Sequence, residues 1–267
     1  MPADKNKAAT KAVQPKSKTT SGAYQVTLFP IEIIEVYPSN QETADLKTIG
    51  KGANSKHYAI KTIYENNGMI PASELFCYHL CRLLNIPTPD FDHVEHQNEI
   101  AFGSVWEGGV EDHLASEASL MAIISGDEFP EAREFFGKVY GLDLFINNDD
   151  RHFGNYIFRE SFNNSKIGLA FDFSRAWMAN DPHGNHCLHP DSNTHACNQA
   201  LRSLGTFDHL AAINILDEIS KIHVDDISSI LEQMHDTWMT DTQKKMITDW
   251  WGGQEFHDRI NRMKGAV

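Results

Sequence analysis

The chain has 267 residues, with 23 Lys and Arg against 37 Asp and Glu, four cysteines and 41% hydrophobic residues. That length can bury enough apolar surface to fold without cross-links, as one large domain or two lobes. Four cysteines and no apolar leader argue against a secreted disulfide scaffold and for a reducing, cytoplasmic setting. No run approaches the roughly 18 apolar residues that a membrane span needs. The net charge of −14 opposes attraction to a phosphate backbone. Neither a membrane nor nucleic acid is an expected direct partner.

Charge is unevenly spread. Lys5, Lys7, Lys11, Lys16 and Lys18 face a single acid, Asp4, in the first 20 residues, leaving a formal −18 on the remainder. Residues 1–22 hold no aromatic and little that could bury apolar surface, which predicts a disordered, solubilising tail.

From Tyr24 to Tyr37 the chain is rich in β-branched and aromatic residues, with Pro30 interrupting the run. A second strand is predicted over Ala44–Ile49 and a third over His57–Tyr64, joined by the turn-forming stretch Gly50–Lys56. A helix follows, with Pro71 near its start and Leu75, Phe76, His79, Leu80, Leu83 and Leu84 at helical spacing. Asn85-Ile-Pro-Thr-Pro89 stops it. Strands are predicted at 91–97 and 99–106. The first hundred residues thus read as an antiparallel sheet carrying one helix, an α+β lobe over residues 23–107. Residues 108–267 read as mainly helical. Ala132–Asn147 has a broad apolar face, short strands fall at Tyr156–Phe158 and Ile167–Phe171, a polar loop spans Met178–Asn198, and helices resume over 206–264.

The informative words are Asn148-Asp-Asp-Arg-His-Phe-Gly-Asn155 and Phe171-Asp-Phe-Ser174. An apolar helix ends in a carboxylate loop, an amide follows Asp150 by five residues, and a short hairpin returns a second acid, Asp172. Phosphoryl transfer from ATP needs this set: one carboxylate for the attacking hydroxyl, and an amide oxygen with a second carboxylate for Mg²⁺. Oxygen ligands suit Mg²⁺ better than Zn²⁺. Upstream, Lys61 ends a strand and can reach the phosphates, Glu74 is its natural partner, and the glycine turn can approach them closely.

With Tyr58-Ala-Ile-Lys61, Ser73-Glu-Leu75, Leu83-Leu-Asn-Ile-Pro-Thr-Pro89 and Phe102-Gly-Ser-Val-Trp106, these words resemble the HipA-like kinases of the protein-kinase-like superfamily. The catalytic loop is also similar to that of phosphoinositide lipid kinases. The resemblance covers residues 25 to about 180. It implies a two-lobed kinase-like fold, ATP and Mg²⁺ as cofactors, and Asp150 as catalytic base with Arg151 and His152 supporting its loop. It also implies Asn155 and Asp172 as metal ligands, Lys61 with Glu74 on the phosphates, and Gly50, Gly52 and Ser55 in the phosphate turn. A hinge near Ser104, Val105 and Glu107 would meet the adenine. Ser55 stands in the turn whose serine is phosphorylated in HipA toxins. The implied acceptor is a Ser/Thr of a protein substrate, with an antitoxin-like or regulatory protein as a further partner. The resemblance starts near residue 25, which implies a chain without the longer N-terminal region of those toxins and argues against the antitoxin. Asp-Phe-Ser in place of Asp-Phe-Gly argues against assuming a flipping activation segment. A small-molecule or lipid acceptor, or a binding module without turnover, are the other readings.

Residues His183–Cys197 hold four His and two Cys, which leaves a polar substrate-side loop or a zinc site open. Cys77 and Cys81, and Trp238, Trp250 and Trp251, read as core.

Overall fold

The structure, a computed structural model, describes residues 29–43, 46–64, 68–106, 116–161 and 165–267. The Lys-rich tail, and Glu107 at the end of the expected hinge, lie outside them.

Five strands open the chain: β1 (Ile31–Thr43), β2 (Leu46–Gly52), β3 (His57–Lys61), β4 (Phe91–His96) and β5 (Glu99–Val105). Four of their five pairings are antiparallel, as expected from the sequence, but the strands go beyond a simple sheet. In the order β1-β2-β3-β5-β4 they close into a barrel, because β1 pairs in parallel with β4 at Ile31↔Val94 and Glu32↔Glu95. Closure removes the sheet edges. Pro30 precedes β1, where its missing N–H costs the ladder nothing. Tyr58, Ile60, Val94 and Ala101 fill the interior. The Tyr58 hydroxyl donates to Asp92 Oδ2 at 2.9 Å and accepts from Asn54 Nδ2 at 2.7 Å.

The helix α1 (Ile70–Leu83), with Pro71 in its first turn, is buried along nearly its whole length. One large core joins α1, Phe91 and Phe102 to the helical remainder. That remainder comprises α2 (Glu117–Ile124), α3 (Ala132–Phe145), the hairpin β6 (Tyr156–Glu160) and β7 (Lys166–Ala170), then α4 (Asn193–Ser203), α5 (His209–Ile219), α6 (Val224–Leu231), α7 (Asp241–Trp250) and α8 (Gln254–Ala266). The helix α4 replaces the second half of the expected polar loop. Thr194, Cys197, Asn198 and Leu201 form its buried face, and Ser192 starts it by accepting from His195 N at 3.0 Å. Trp238 and Trp251 are buried as expected, and their indoles donate to Ile100 O and Ile222 O. Trp250 is half-buried.

The helix α3 delivers the candidate site, and it lies unusually close to α5. A methyl group on Gly137 would sit 2.4 Å from Asp208 O, and one on Gly141 2.5 Å from Ala212 O. Alanine normally stabilises a helix interior by about 1 kcal/mol over glycine. Here the obstacle is backbone, which cannot swing aside. Gly141→Ala is therefore expected to lower stability by about 1–3 kcal/mol in urea unfolding. Gly265→Ala in α8, with nothing within 4 Å of the added carbon, is expected to be neutral or slightly stabilising.

Candidate active site

The loop after α3 is fixed before any reactive group is reached. The last carbonyls of α3 lack helical partners, and Arg259 of α8 donates to Leu144 O at 3.0 Å and Phe145 O at 2.8 Å. Its third nitrogen reaches Gly184 O at 2.8 Å. Asn147, left-handed at φ 54°, turns the chain. Its amide donates to Asn180 O and Asp181 O, while Asn180 Nδ2 donates back to Asn147 O at 2.9 Å.

Asp143 and Arg151 lie at the centre, 0% and 2% exposed. Arg151 Nε and Nη2 donate to the two Asp143 oxygens at 2.9 and 3.1 Å, a bidentate pair. Arg151 Nη1 donates to Asn155 O at 3.0 Å and Phe171 O at 2.6 Å, and the guanidinium lies 4.8 Å from the Phe173 ring centroid. Asn148 donates to Asp143 Oδ1 and accepts from Asp150 N. Thr194 of α4 donates to Asn148 O and accepts from Arg151 N. Burial pushes the Asp143 carboxyl up, against Arg151 and Asn148. For Arg151, burial acts to lower the pKa, but Asp143 outweighs it and the net direction is up.

This frame brings together Asp150, Asn155, Asp172, Lys61 and Glu74. Asn155 Nδ2 donates to Asp150 O at 2.9 Å, and Asn155 O accepts from Phe171 N at 3.3 Å, which sets Asp172 beside the loop. The Asp150 carboxylate accepts from Asn193 Nδ2 on Oδ1 and lies 3.5 Å from Arg175 Nε on Oδ2. Asp172 sits at φ 58°, and its Oδ1 accepts from the Ser174 amide and hydroxyl and meets Lys61 Nζ at 3.4 Å. Burial acts to raise the Asp172 pKa, but Lys61 and Ser174 prevail and hold it below the usual carboxylate range.

Glu74, the expected partner of Lys61, is buried beside this pair. Its Oε1 accepts from Phe173 N at 3.1 Å, and its Oε2 is buried with no hydrogen-bond partner. Burial, and next the charge of Asp172, push its pKa up to about 8, against Lys61, the Phe173 amide and Arg151. Lys61 Nζ meets Asp172 Oδ1, and its charge also acts on Glu74, lowering a pKa that burial raises.

Other predicted residues lie apart from this network. Gly50 and Gly52 belong to β2, and only 53–56 form the turn. Side chains at either position would meet Ile33 and Ile60, or Ile31 and Tyr58, at under 3 Å, so the barrel interior requires glycine there. The turn amides are used internally: Gly52 N to Lys56 O, Ala53 N to Glu32 O, Ser55 N to Gly52 O. Ser55 is exposed at φ 67°. Ser104 is buried against the Tyr78 hydroxyl at 2.8 Å. Val105 N and Trp106 N donate to Asp90 O and His57 O. His152 is exposed, and its Nδ1 accepts from Gly154 N, capping the turn that leads to Asn155. Cys187 and Cys197 are buried thiols, each pushed up to about 12, by burial first. No three His, Cys, Asp or Glu side chains gather as a metal cluster among the described residues. Cys77 and Cys81 are buried as expected.

Sequence reasoning missed Asp143, Arg175, Asn193 and Thr194. An aspartate inside the apolar face of a predicted helix is a legible signal for Asp143. Asn193, 43 residues from Asp150, gives none.

No protein-family model matches the chain, and no curated protein sequence matches it. Solved structures do. The Helicobacter pylori proinflammatory kinase CtkA matches with a TM-score of 0.55 at 12% identity, covering 89% of this chain and 98% of that one. HipA of Shewanella oneidensis MR-1, solved with HipB and operator DNA, matches with a TM-score of 0.51 at 11% identity, covering 87% of this chain and 63% of that one. The chain has the fold of these HipA-type kinases, as its motifs imply. No helix among the described residues is long and apolar enough to cross a membrane.

Glu74 makes stability depend on pH. An unfolded glutamate titrates near 4.5 and the folded one near 8, so the folded state binds the extra proton between these values. Stability is fully present below the lower value and falls as pH rises toward the upper one. Glu74→Gln removes this slope. Between pH 5 and pH 9 the variant is expected to gain roughly 2–4 kcal/mol relative to the parent in urea unfolding.

Proposed function

We propose that this chain is a Mg²⁺-dependent phosphotransferase that moves the γ-phosphoryl group of ATP to a hydroxyl, most directly a Ser/Thr of a protein substrate. The observation that carries the reading is a single hydrogen-bonded frame, Asp143–Arg151–Asn155–Phe171, that holds Asp150 and Asp172 on adjacent loops. In this reading residues 23–107 form a nucleotide lobe, 108–267 a helical lobe, and Lys61 joins the two at Asp172.

The donor set fits Mg²⁺. Asn155 spends its Nδ2 on Asp150 O, which leaves Oδ1 as the donor atom for a cation. Asp172 is held ionised, and its Oδ1 carries the Lys61 and Ser174 contacts while Oδ2 remains for the metal. One carboxylate and one amide oxygen, completed by phosphate oxygens and water, match how Mg²⁺ is usually held. The metal's chemistry is to neutralise charge on the phosphates. Asp150 accepts the proton of the acceptor hydroxyl, whose oxygen bonds to the γ-phosphorus as the bond to the bridging oxygen breaks and ADP leaves with the electron pair. Lys61 serves the phosphates. HipA is solved with HipB, and an antitoxin-like protein partner is the corresponding proposal here.

The test is incubation with γ-labelled ATP and Mg²⁺, alone and with cell lysate. Asp150→Asn is expected to lose at least about 10²-fold in transfer while still binding ATP, and Asp172→Asn to lose transfer altogether. Label of equal intensity in both variants would sink the reading. ATP binding without label in the parent would point to a binding module or to an acceptor outside the lysate proteins.

A further inference from the structure

The backbone of Asp150 is set before its carboxylate is. Asp150 N donates to Asn148 Oδ1 at 3.2 Å, and Asp150 O accepts from Asn155 Nδ2 at 2.9 Å. Neither bond specifies the carboxylate, because the terminal torsion of an aspartate is broad and roughly two-fold. Asn193 Nδ2 does meet it, donating to Oδ1, and Arg175 Nε lies 3.5 Å from Oδ2. We propose that Asn193 is a positioning residue for the transfer step, its amide fixing the plane of the Asp150 carboxylate that takes the acceptor proton; this rests on the phosphotransferase reading above.

Asn193 is itself placed with little freedom. It is the first residue of α4 and stands between two buried neighbours, Ser192 and Thr194. Ser192 Oγ donates to Cys187 O at 3.0 Å and accepts from His195 N at 3.0 Å, which starts the helix. Thr194 N donates to Asp149 O at 3.3 Å. Thr194 Oγ1 donates to Asn148 O at 2.7 Å and accepts from Arg151 N at 2.9 Å. The first turn of α4 is thus bonded to the residue before Asp150 and to the residue after it. An asparagine side chain is short, so a backbone fixed this closely confines its amide to a small arc around Oδ1.

The residue type fits the role. Asn193 is exposed while its neighbours are buried, so it contributes little to the core, and alanine would serve the helix at least as well. An amide nitrogen donates and carries no charge. It can hold a carboxylate in one orientation without neutralising it, and each carboxylate oxygen has a second lone pair for another partner. A general base must come within about 2.6–3.2 Å of the hydroxyl whose proton it takes. Misplacement by about 1 Å can cost on the order of 10²-fold in rate. A carboxylate that turns about its own axis loses that approach, and the Asn193 bond opposes the turn.

The step itself is unchanged. The acceptor proton goes to Asp150, the acceptor oxygen bonds to the γ-phosphorus, and ADP leaves with the electron pair. Asn193 neither gains nor loses a proton.

The experiment compares the full chain with Asn193→Ala, Asn193→Asp, Asn193→Gln and, as a control at an exposed position further along α4, Gln199→Ala. Transfer from γ-labelled ATP into lysate protein is followed at fixed lysate while Mg-ATP is varied, which separates an apparent kcat from the KM for ATP. Asn193→Ala is expected to lower kcat by about 10- to 10²-fold, with KM for ATP, Mg-ADP binding and thermal midpoint unchanged. Asn193→Asp keeps the shape but removes the donor and should lose at least as much. Asn193→Gln keeps the amide on a longer stem and should recover part of the loss. Gln199→Ala should match the parent. A parent that transfers label beside an Asn193→Ala variant of equal kcat overturns the proposal alone. So does a loss that falls on KM or on the thermal midpoint, that Asn193→Gln does not relieve, or that Gln199→Ala shares. A parent that turns over no ATP, with lysate or with water as acceptor, overturns the phosphotransferase reading and this proposal with it.

Discussion

A single buried guanidinium holds the reactive half of this molecule in register. Arg151 ties the interior of α3, through Asp143, to the carbonyls of Asn155 and Phe171, which flank the open end of the following hairpin. Burying an ion pair costs several kcal/mol in desolvation, and a well-packed apolar pair is often as stable. What a charged fork adds is geometry. Its donors are rigidly disposed, and satisfying four acceptors on three segments leaves one arrangement of helix end, loop and hairpin. Removing either charge strands the other in the core, so the pair persists as a unit.

A second tie fixes α1 to the segment after Asp172. Ser73 Oγ accepts from Ala179 N, Glu74 Oε1 accepts from Phe173 N, and Phe76 stacks on Trp177 with centroids 3.8 Å apart and planes 4° from parallel. These contacts span one turn of α1 and seven residues of the partner segment. A shift of either element breaks all three together, so helix and segment behave as one body. The motif Asp-Phe-Ser fits this. Ser174 is buried and uses its amide and hydroxyl on Asp172, which a glycine at that position could do only with its amide.

Much of this was legible because the decisive residues sit close together in sequence. Asp150 to Asn155 is one loop, and a hairpin of two short strands brings back Asp172, so spacing alone specified their proximity. The helix α1 declared itself by periodicity and by the prolines at both ends. The barrel was hidden for a different reason. Its closure rests on two parallel pairs between β1 and β4, some 60 residues apart, and alternation in a strand does not say which neighbour closes the sheet. Gly50 and Gly52 misled for a related reason. A glycine is equally required by an approaching ligand and by a neighbouring isoleucine, and inside a five-stranded barrel it is the isoleucine that decides. Glu74 was read correctly as near Lys61, but its protonation depends on burial, which no spacing rule conveys.

The three cations of the site form a gradient of depth, and depth sets what each can do. Arg151, with a side chain 2% exposed, is surrounded by fixed acceptors, so any displacement would abandon several charge-assisted hydrogen bonds at once, and its role is confined to architecture. Lys61 at 6% holds a single flexible ammonium on Asp172, beside the buried Glu74 whose pKa its charge acts to lower. Arg175 at 47% stands at the solvent boundary beside Asp150. The same ordering follows from the chain itself: the deepest cation lies eight residues after the helix-bound aspartate it pairs with, and the outermost stands beside solvent on an otherwise buried strip.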